Sequence, residues 1–142
     1  MKKNKEIRTS YYYIKKEVYQ EMVKYCRKES PLEACGLISG VGNKGLTFWP
    51  IRNEEKSPNR FSITEENMRK TIKQIIKKGE QLNGVFHSHP RTRAFPSYHD
   101  IKNHSYPNLA YIIVSLLKKE TTVGVFNITA NKKVIRLKLE LI

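Results

Sequence analysis

The chain has 142 residues, 39% of them hydrophobic and 10% aromatic, enough for one domain with a real core and too apolar for a disordered chain. It carries 27 Lys and Arg against 13 Asp and Glu, a formal charge of +14, which favours acidic partners. No apolar run reaches the ~18 residues that span a bilayer, and the basic start Met1–Glu6 has no apolar stretch behind it, so no membrane partner and a cytoplasmic location are expected.

Cys26 and Cys35 form neither a disulfide framework nor a Cys-x-x-Cys motif. The charge excess is mostly lysine, spread along the chain, without the run of exposed aromatics that a single-strand binder uses. The chain is also rich in Ile and Asn, and Lys, Ile and Asn are all encoded by A/T-rich codons, so base composition is an alternative source of the excess. Nucleic acid is therefore not the expected partner.

Residues 1–10 read as a flexible basic N-terminus and 11–142 as the domain. A short strand is expected over Tyr11–Ile14, then a helix over 15–28 with Ile14, Val18, Met22, Tyr25 and Cys26 at helical spacing. Ser30-Pro31 stops it. Residues 33–40 read as a strand, Gly40 to Gly45 as a turn, and 46–51 as a second strand interrupted by Pro50. A polar loop precedes a short strand at Phe61-Ser62-Ile63. Thr64 caps a second helix, with Glu65 and Glu66 in its first turn and Gly79 beyond its end.

The next strand, 82–89, ends in His87-Ser88-His89. Side chains two apart on a strand share a face, so the two imidazoles point the same way and Ser88 points to the other. After Pro90 and Pro96, Ser97 opens a short helix that carries Asp100 and ends before Pro107. Strands over 109–117 and 121–129, a turn at Asn131-Lys132, and an alternating strand over 135–141 complete the chain. The sum is one α/β domain, a mixed curved sheet flanked by helices.

His87, His89 and Asp100 can converge on one divalent ion. A catalytic zinc site typically has three protein ligands and an open position for water. Each half has a plainer reading. Strand histidines are often only packed, and Ser97-x-x-Asp100 is also a helix-start signature. His104, one turn beyond Asp100, is a substitute ligand, whereas His99 lies on another face. Iron is an alternative metal for two imidazoles and a carboxylate. Cys35 sits within an apolar strand, where a thiol behaves as a small hydrophobe.

His87-x-His89, seven residues, Ser97, two residues and Asp100 resemble the zinc signature of the JAMM (MPN-plus) metalloproteases. Pro31-Leu32-Glu33-Ala34-Cys35-Gly36 is similar to the glutamate-bearing strand start of that family. By itself Glu33 reads as a solvated residue after a helix stop. The resemblance spans roughly residues 11–130 and implies an MPN/JAMM fold, cytidine-deaminase-like. It implies that His87, His89 and Asp100 bind Zn2+, that Glu33 passes a proton from water to the leaving amine, and that Ser97 stabilises the oxyanion.

It further implies a zinc metallopeptidase or isopeptidase acting after the C-terminal glycine tail of a ubiquitin-like or sulfur-carrier protein. The alternatives are a bacterial deconjugating enzyme of a ubiquitin-like pathway, a non-catalytic MPN interaction module, and a basic nucleic-acid binder. Asn53, Ser57 and Phe61 are the expected tail contacts, with a plain surface loop and a core Phe61 as the other reading. Only eight residues separate Asp100 from Leu109, so the chain resembles the compact stand-alone prokaryotic type.

Overall fold

In a computed structural model, which describes residues 10–142 except Ser105, strand β1 (Tyr11–Ile14) leads into helix α1 (Lys16–Glu29). The flexible N-terminus expected over residues 1–10 lies, apart from Ser10, outside the described residues. Val18, Met22 and Cys26, four residues apart, form the buried stripe of α1. Strands β2 (Cys35–Val41) and β3 (Lys44–Ile51) form a hairpin in which Pro50 is tolerated. Helix α2 (Glu65–Lys77) starts where Thr64 accepts a hydrogen bond from the Asn67 N–H at 3.1 Å. Gly79, at φ +81°, takes the left-handed conformation just beyond its end.

Strand β4 (Gln81–His89), helix α3 (Tyr98–Asn103) and strands β5 (Ala110–Ser115), β6 (Thr122–Ile128) and β7 (Val134–Leu141) follow. Among the described residues no helix is long and apolar enough to cross a membrane.

The fold is the expected mixed α/β domain, with one refinement: the curved sheet closes into a barrel, in the order β1-β3-β2-β4-β5-β6-β7. β1 and β7 close it as a parallel pair, Tyr11 opposite Lys138 and Ile14 opposite Leu141. Among the described residues every strand then has two neighbours, and none stands as a free edge. The expected strand at Phe61–Ile63 does not form. Backbone groups there bond within the loop instead, Ser62 N–H to Asn53 Oδ1 and Glu54 N–H to Ser62 O.

The sheet buries a core on each face. Phe86, Ile112 and Val114 pack with Val18, Met22 and Cys26 of α1. Val85, Tyr111 and Ile113 pack with Ile75 of α2, and Ile101 of α3 lies against them. Alternation along β4 therefore turns His87 and His89 towards the side of α2 and α3, and Ser88 towards α1. All six residues of β5 are buried, so the strand beside the histidines has apolar cover on both faces.

Candidate metal centre

His87 and His89 end β4 in the parallel pairing that sets them opposite Ile113 and Ser115 of β5. Their Nε2 atoms are 3.0 Å apart. Asp100 reaches them from the first turn of α3, with Oδ2 3.2 Å from His87 Nε2 and 3.1 Å from His89 Nε2. All three side chains are buried.

The two sequence readings of Ser97 and Asp100 coincide. Ser97 Oγ accepts from the Asp100 N–H at 3.0 Å, and Asp100 Oδ2 accepts from the Ser97 N–H at 2.9 Å, a complete capping box. The same Oδ2 faces both imidazoles, so the cap fixes the carboxylate in the site. Ser97 itself is exposed, and with its oxygen accepting from Asp100 its hydroxyl proton remains available for donation.

His89 Nδ1 lies 2.9 Å from the Arg93 carbonyl, which only accepts, so the proton sits on Nδ1 and Nε2 presents its lone pair to the site. Phe61 stacks on the His87 ring, with centroids 4.6 Å apart and planes 23° apart. Burial holds the His87 imidazole below its ordinary pKa despite the Asp100 carboxylate. Burial alone would raise the Asp100 carboxyl. The His87 side chain and the Ser97 N–H, both bonded to it, instead hold it well below the usual carboxylate range. Neutral imidazoles and an ionised carboxylate are the forms that bind a metal.

A metal fits this donor set. His89 Nε2 and Asp100 Oδ2 are both acceptors, yet they face each other at 3.1 Å, an arrangement that a shared cation relieves. Tetrahedral ligands at ~2.0–2.1 Å from zinc stand roughly 3.3 Å apart, close to the 3.0–3.2 Å found here.

Glu33 joins from a distant part of the chain. It lies just before β2, and the β2–β4 register sets Cys35 opposite His87. Ser88 staples the neighbouring residue: the Ala34 N–H donates to Ser88 Oγ at 2.8 Å and the Ser88 N–H to Ala34 O at 3.0 Å. On the other side, the Glu33 N–H donates to Ser57 O at 2.8 Å, and Asn53 Nδ2 donates to Glu33 O at 3.0 Å. One Glu33 carboxylate oxygen and one ring nitrogen each of His87 and His89 lie within 4.8 Å of one another. That group and the tighter triangle with Asp100 share the two imidazoles, so both carboxylates stand at the same site. Glu33 Oε1 is buried and has no hydrogen-bond partner among the described residues. Burial, reinforced by the Asp100 charge, pushes the carboxyl up to about 9.

The remaining candidates separate. Asn53 is buried, and its amide is fully used, donating to Glu33 O and Arg60 O and accepting from the Glu55 and Ser62 N–H groups. Its side chain thereby clamps the backbone of Glu33. The Asx turn it makes with Glu55 was the signal in the sequence. Ser57 bonds within its loop, to Asn59, and holds Glu33 through its carbonyl. Phe61 is partly buried and faces both His87 and a cavity of about 370 Å³. Ile63, Met68, Val85, Asp100 and Tyr111 also line that cavity.

His104 lines the same cavity and, among the described residues, makes no bond to the His87–His89–Asp100 triangle. His99 accepts from Asn103. Cys35 is fully buried and its thiol is pushed up to about 12 by burial, which leaves it inert. Sequence reasoning had no means of finding the Arg93 carbonyl, because backbone acceptors carry no residue signature.

A small α/β barrel with two strand histidines, a capping aspartate and a buried glutamate defines the class. The chain belongs to the family of prokaryotic homologues of the JAB domain, matched over residues 15–129. It is 29% identical over 104 residues to the CysO-cysteine peptidase of Mycobacterium tuberculosis, covering 72% of this chain and 71% of that protein. It is 30% identical over 86 residues to the desampylase of Pyrococcus furiosus, covering 61% of each. A Desulfitobacterium hafniense protein of known solution structure superimposes with a TM-score of 0.83 at 31% identity, covering 92% of both chains. The JAB1/MPN domain protein of Archaeoglobus fulgidus, 16% identical with a TM-score of 0.57 over 89% of this chain and 97% of that one, shares the fold.

Proposed function

We propose that the protein is a zinc-dependent peptidase or isopeptidase that cleaves after the C-terminal glycine tail of a ubiquitin-like or sulfur-carrier protein. The observation that carries the reading is Glu33 Oε1, buried and unpartnered among the described residues, beside two imidazoles and a carboxylate that converge within 3.0–3.2 Å. The names of the relatives support it, a CysO-cysteine peptidase, a desampylase and, in Thermus thermophilus, a probable TtuB-protein conjugate cleaving protease.

His87, His89 and Asp100 would hold the zinc. When bound, the ion supplies a Lewis acid and lowers the pKa of water to about 7. Glu33 takes the proton of the attacking water and delivers it to the leaving amine nitrogen. Its clamped backbone sets the carboxylate in place, and a bound cation would favour its ionised, proton-accepting form. The Ser97 hydroxyl donates a hydrogen bond to the carbonyl oxygen as negative charge develops there. Phe61 and the apolar wall of the cavity exclude water around His87 and Asp100.

Ser97→Ala is expected to lower kcat by on the order of 10²-fold through the lost oxyanion donor. It should also cost about 1 kcal/mol of stability through the lost cap. Ser97→Thr, which keeps both, should restore both. A rate loss under tenfold in Ser97→Ala would leave the residue as a cap alone.

The reading is tested by zinc analysis together with mass spectrometry of ubiquitin-like carriers extended beyond a terminal Gly-Gly, through either a peptide bond or a lysine side chain. Release of the extension by the zinc-loaded protein is expected. A zinc-loaded protein that cleaves neither linkage would overturn the reading.

A further inference from the structure

A second feature lies at the end of the sheet where β4 delivers His89. Beyond His89 the chain runs beside the end of β5, where the Leu116 N–H donates to His89 O at 3.0 Å and Ser115 Oγ to Thr92 O at 2.6 Å. The β5–β6 turn that follows carries Lys118 and Lys119. The end of α1 is tied to the same turn, because Arg27 Nε and Nη2 both donate to Thr121 Oγ1, at 3.1 and 2.5 Å. Three segments thus meet at one end of the sheet.

Arg27, Lys118 and Lys119 line a cleft of about 230 Å³ together with Ser30, Leu116 and Thr121, and no carboxylate lines it. Lys118 and Lys119 form the basic ridge of the turn, and Arg91 on the β4–α3 loop is a further exposed cation. All four cations are exposed, and among the described residues none is paired with a carboxylate. Arg27 is pre-oriented by Thr121, which lowers the entropy lost when it engages a ligand. Leu117, 50% exposed, places an apolar side chain among the charges. An apolar spot within a charged rim is the anatomy of a protein-binding patch rather than of a phosphate track.

We infer that this cleft and ridge dock an acidic surface of the substrate's folded carrier domain, with one of its carboxylates seated against Arg27. The inference rests on the proposed hydrolytic reading and adds the chemistry of the partner. Rim charges of this kind act on encounter and on KM, not on the chemical step.

The test uses two probes with the same Gly-Gly tail and extension, one a short free peptide and the other an acidic ubiquitin-like carrier. Lys118→Glu/Lys119→Glu is compared with Lys73→Glu/Lys77→Glu on the exposed face of α2, an equal change of net charge. The ridge variant should raise KM for the carrier by roughly tenfold or more with kcat held within about twofold. It should leave peptide cleavage unchanged, and the α2 variant should behave as the wild type. Arg27→Ala should raise the carrier KM in the same sense. Raising KCl from about 0.05 to about 0.5 M should abolish the difference between the ridge variant and the wild type.

Equal effects of the two charge reversals, or an equal loss on the free peptide, would overturn the ridge. So would selective loss of a labelled single-stranded oligonucleotide with carrier kinetics intact. If the wild type cleaved neither probe, the hydrolytic reading would fail. Anisotropy of the labelled carrier would then decide the ridge separately, by selective loss of binding in the ridge variant or by its absence.

Discussion

Glu33→Gln is expected to bind metal as the wild type does and to lose roughly 10²- to 10⁴-fold in turnover, the usual contribution of a positioned general base. The substitution is nearly isosteric. It leaves the Glu33 backbone clamp, made by Ser57 O and Asn53 Nδ2, untouched. Metal analysis and single-turnover cleavage of an extended carrier, measured on the same preparation, separate binding from chemistry. Turnover within tenfold of the wild type would remove Glu33 as the base.

The same variant should be more stable than the wild type when metal-free at alkaline pH. The folded-state pKa of Glu33 is raised from 4.5 to about 9. Between those values the native state holds a proton that the unfolded state has lost, so wild-type stability falls as pH rises through this window. The melting temperature of Glu33→Gln should therefore exceed that of the wild type at about pH 8, and the gap should close towards about pH 4.5. A gap that is constant with pH would mean that Glu33 is not held protonated by its surroundings.

The second large effect belongs to Asp100. Asp100→Ala should lower zinc affinity by more than about 100-fold, beyond the 10- to 100-fold typical of changes in the outer shell of a metal site. It should also cost about 1 kcal/mol from the broken capping box. Asp100→Asn separates the two. Its side-chain carbonyl can still accept from the Ser97 N–H, so it should keep the stability of α3 while losing most of the metal affinity. Isothermal titration with zinc and thermal melts of both variants measure the pair. Wild-type affinity in Asp100→Asn would show that the carboxylate only caps the helix.

Much of this site was legible before the fold was known, for local reasons. Period-two alternation sets His87 and His89 on one face, and Ser97-x-x-Asp100 marks a helix start whatever the tertiary context. From the sequence, capping is the plainer reading of Ser97-x-x-Asp100, though the two roles can coexist. The geometry is compatible with both, because one oxygen accepts from the Ser97 N–H and faces both imidazoles.

What was not legible is long-range. Glu33 reaches His87 only through the β2–β4 register and the Ser88–Ala34 bonds, and residue spacing carries no trace of either. The family resemblance supplied that residue. Barrel closure depends on β1 pairing with β7 from the other end of the chain, which no local pattern encodes. Phe61–Ile63 has strand-like composition, but the Asn53 amide captures its backbone, and a single polar side chain overrides propensity there.

The arrangement admits two three-ligand sets, since Glu33 also lies within 4.8 Å of both histidine donors. Anomalous diffraction at the zinc edge from crystals of the zinc-loaded wild-type protein tests the account most directly. One peak coordinated by His87 Nε2, His89 Nε2 and Asp100 Oδ2, with Glu33 outside the ligand sphere, is the predicted result. A peak ligated by Glu33 in place of Asp100, or no ordered metal between the histidines, would contradict it.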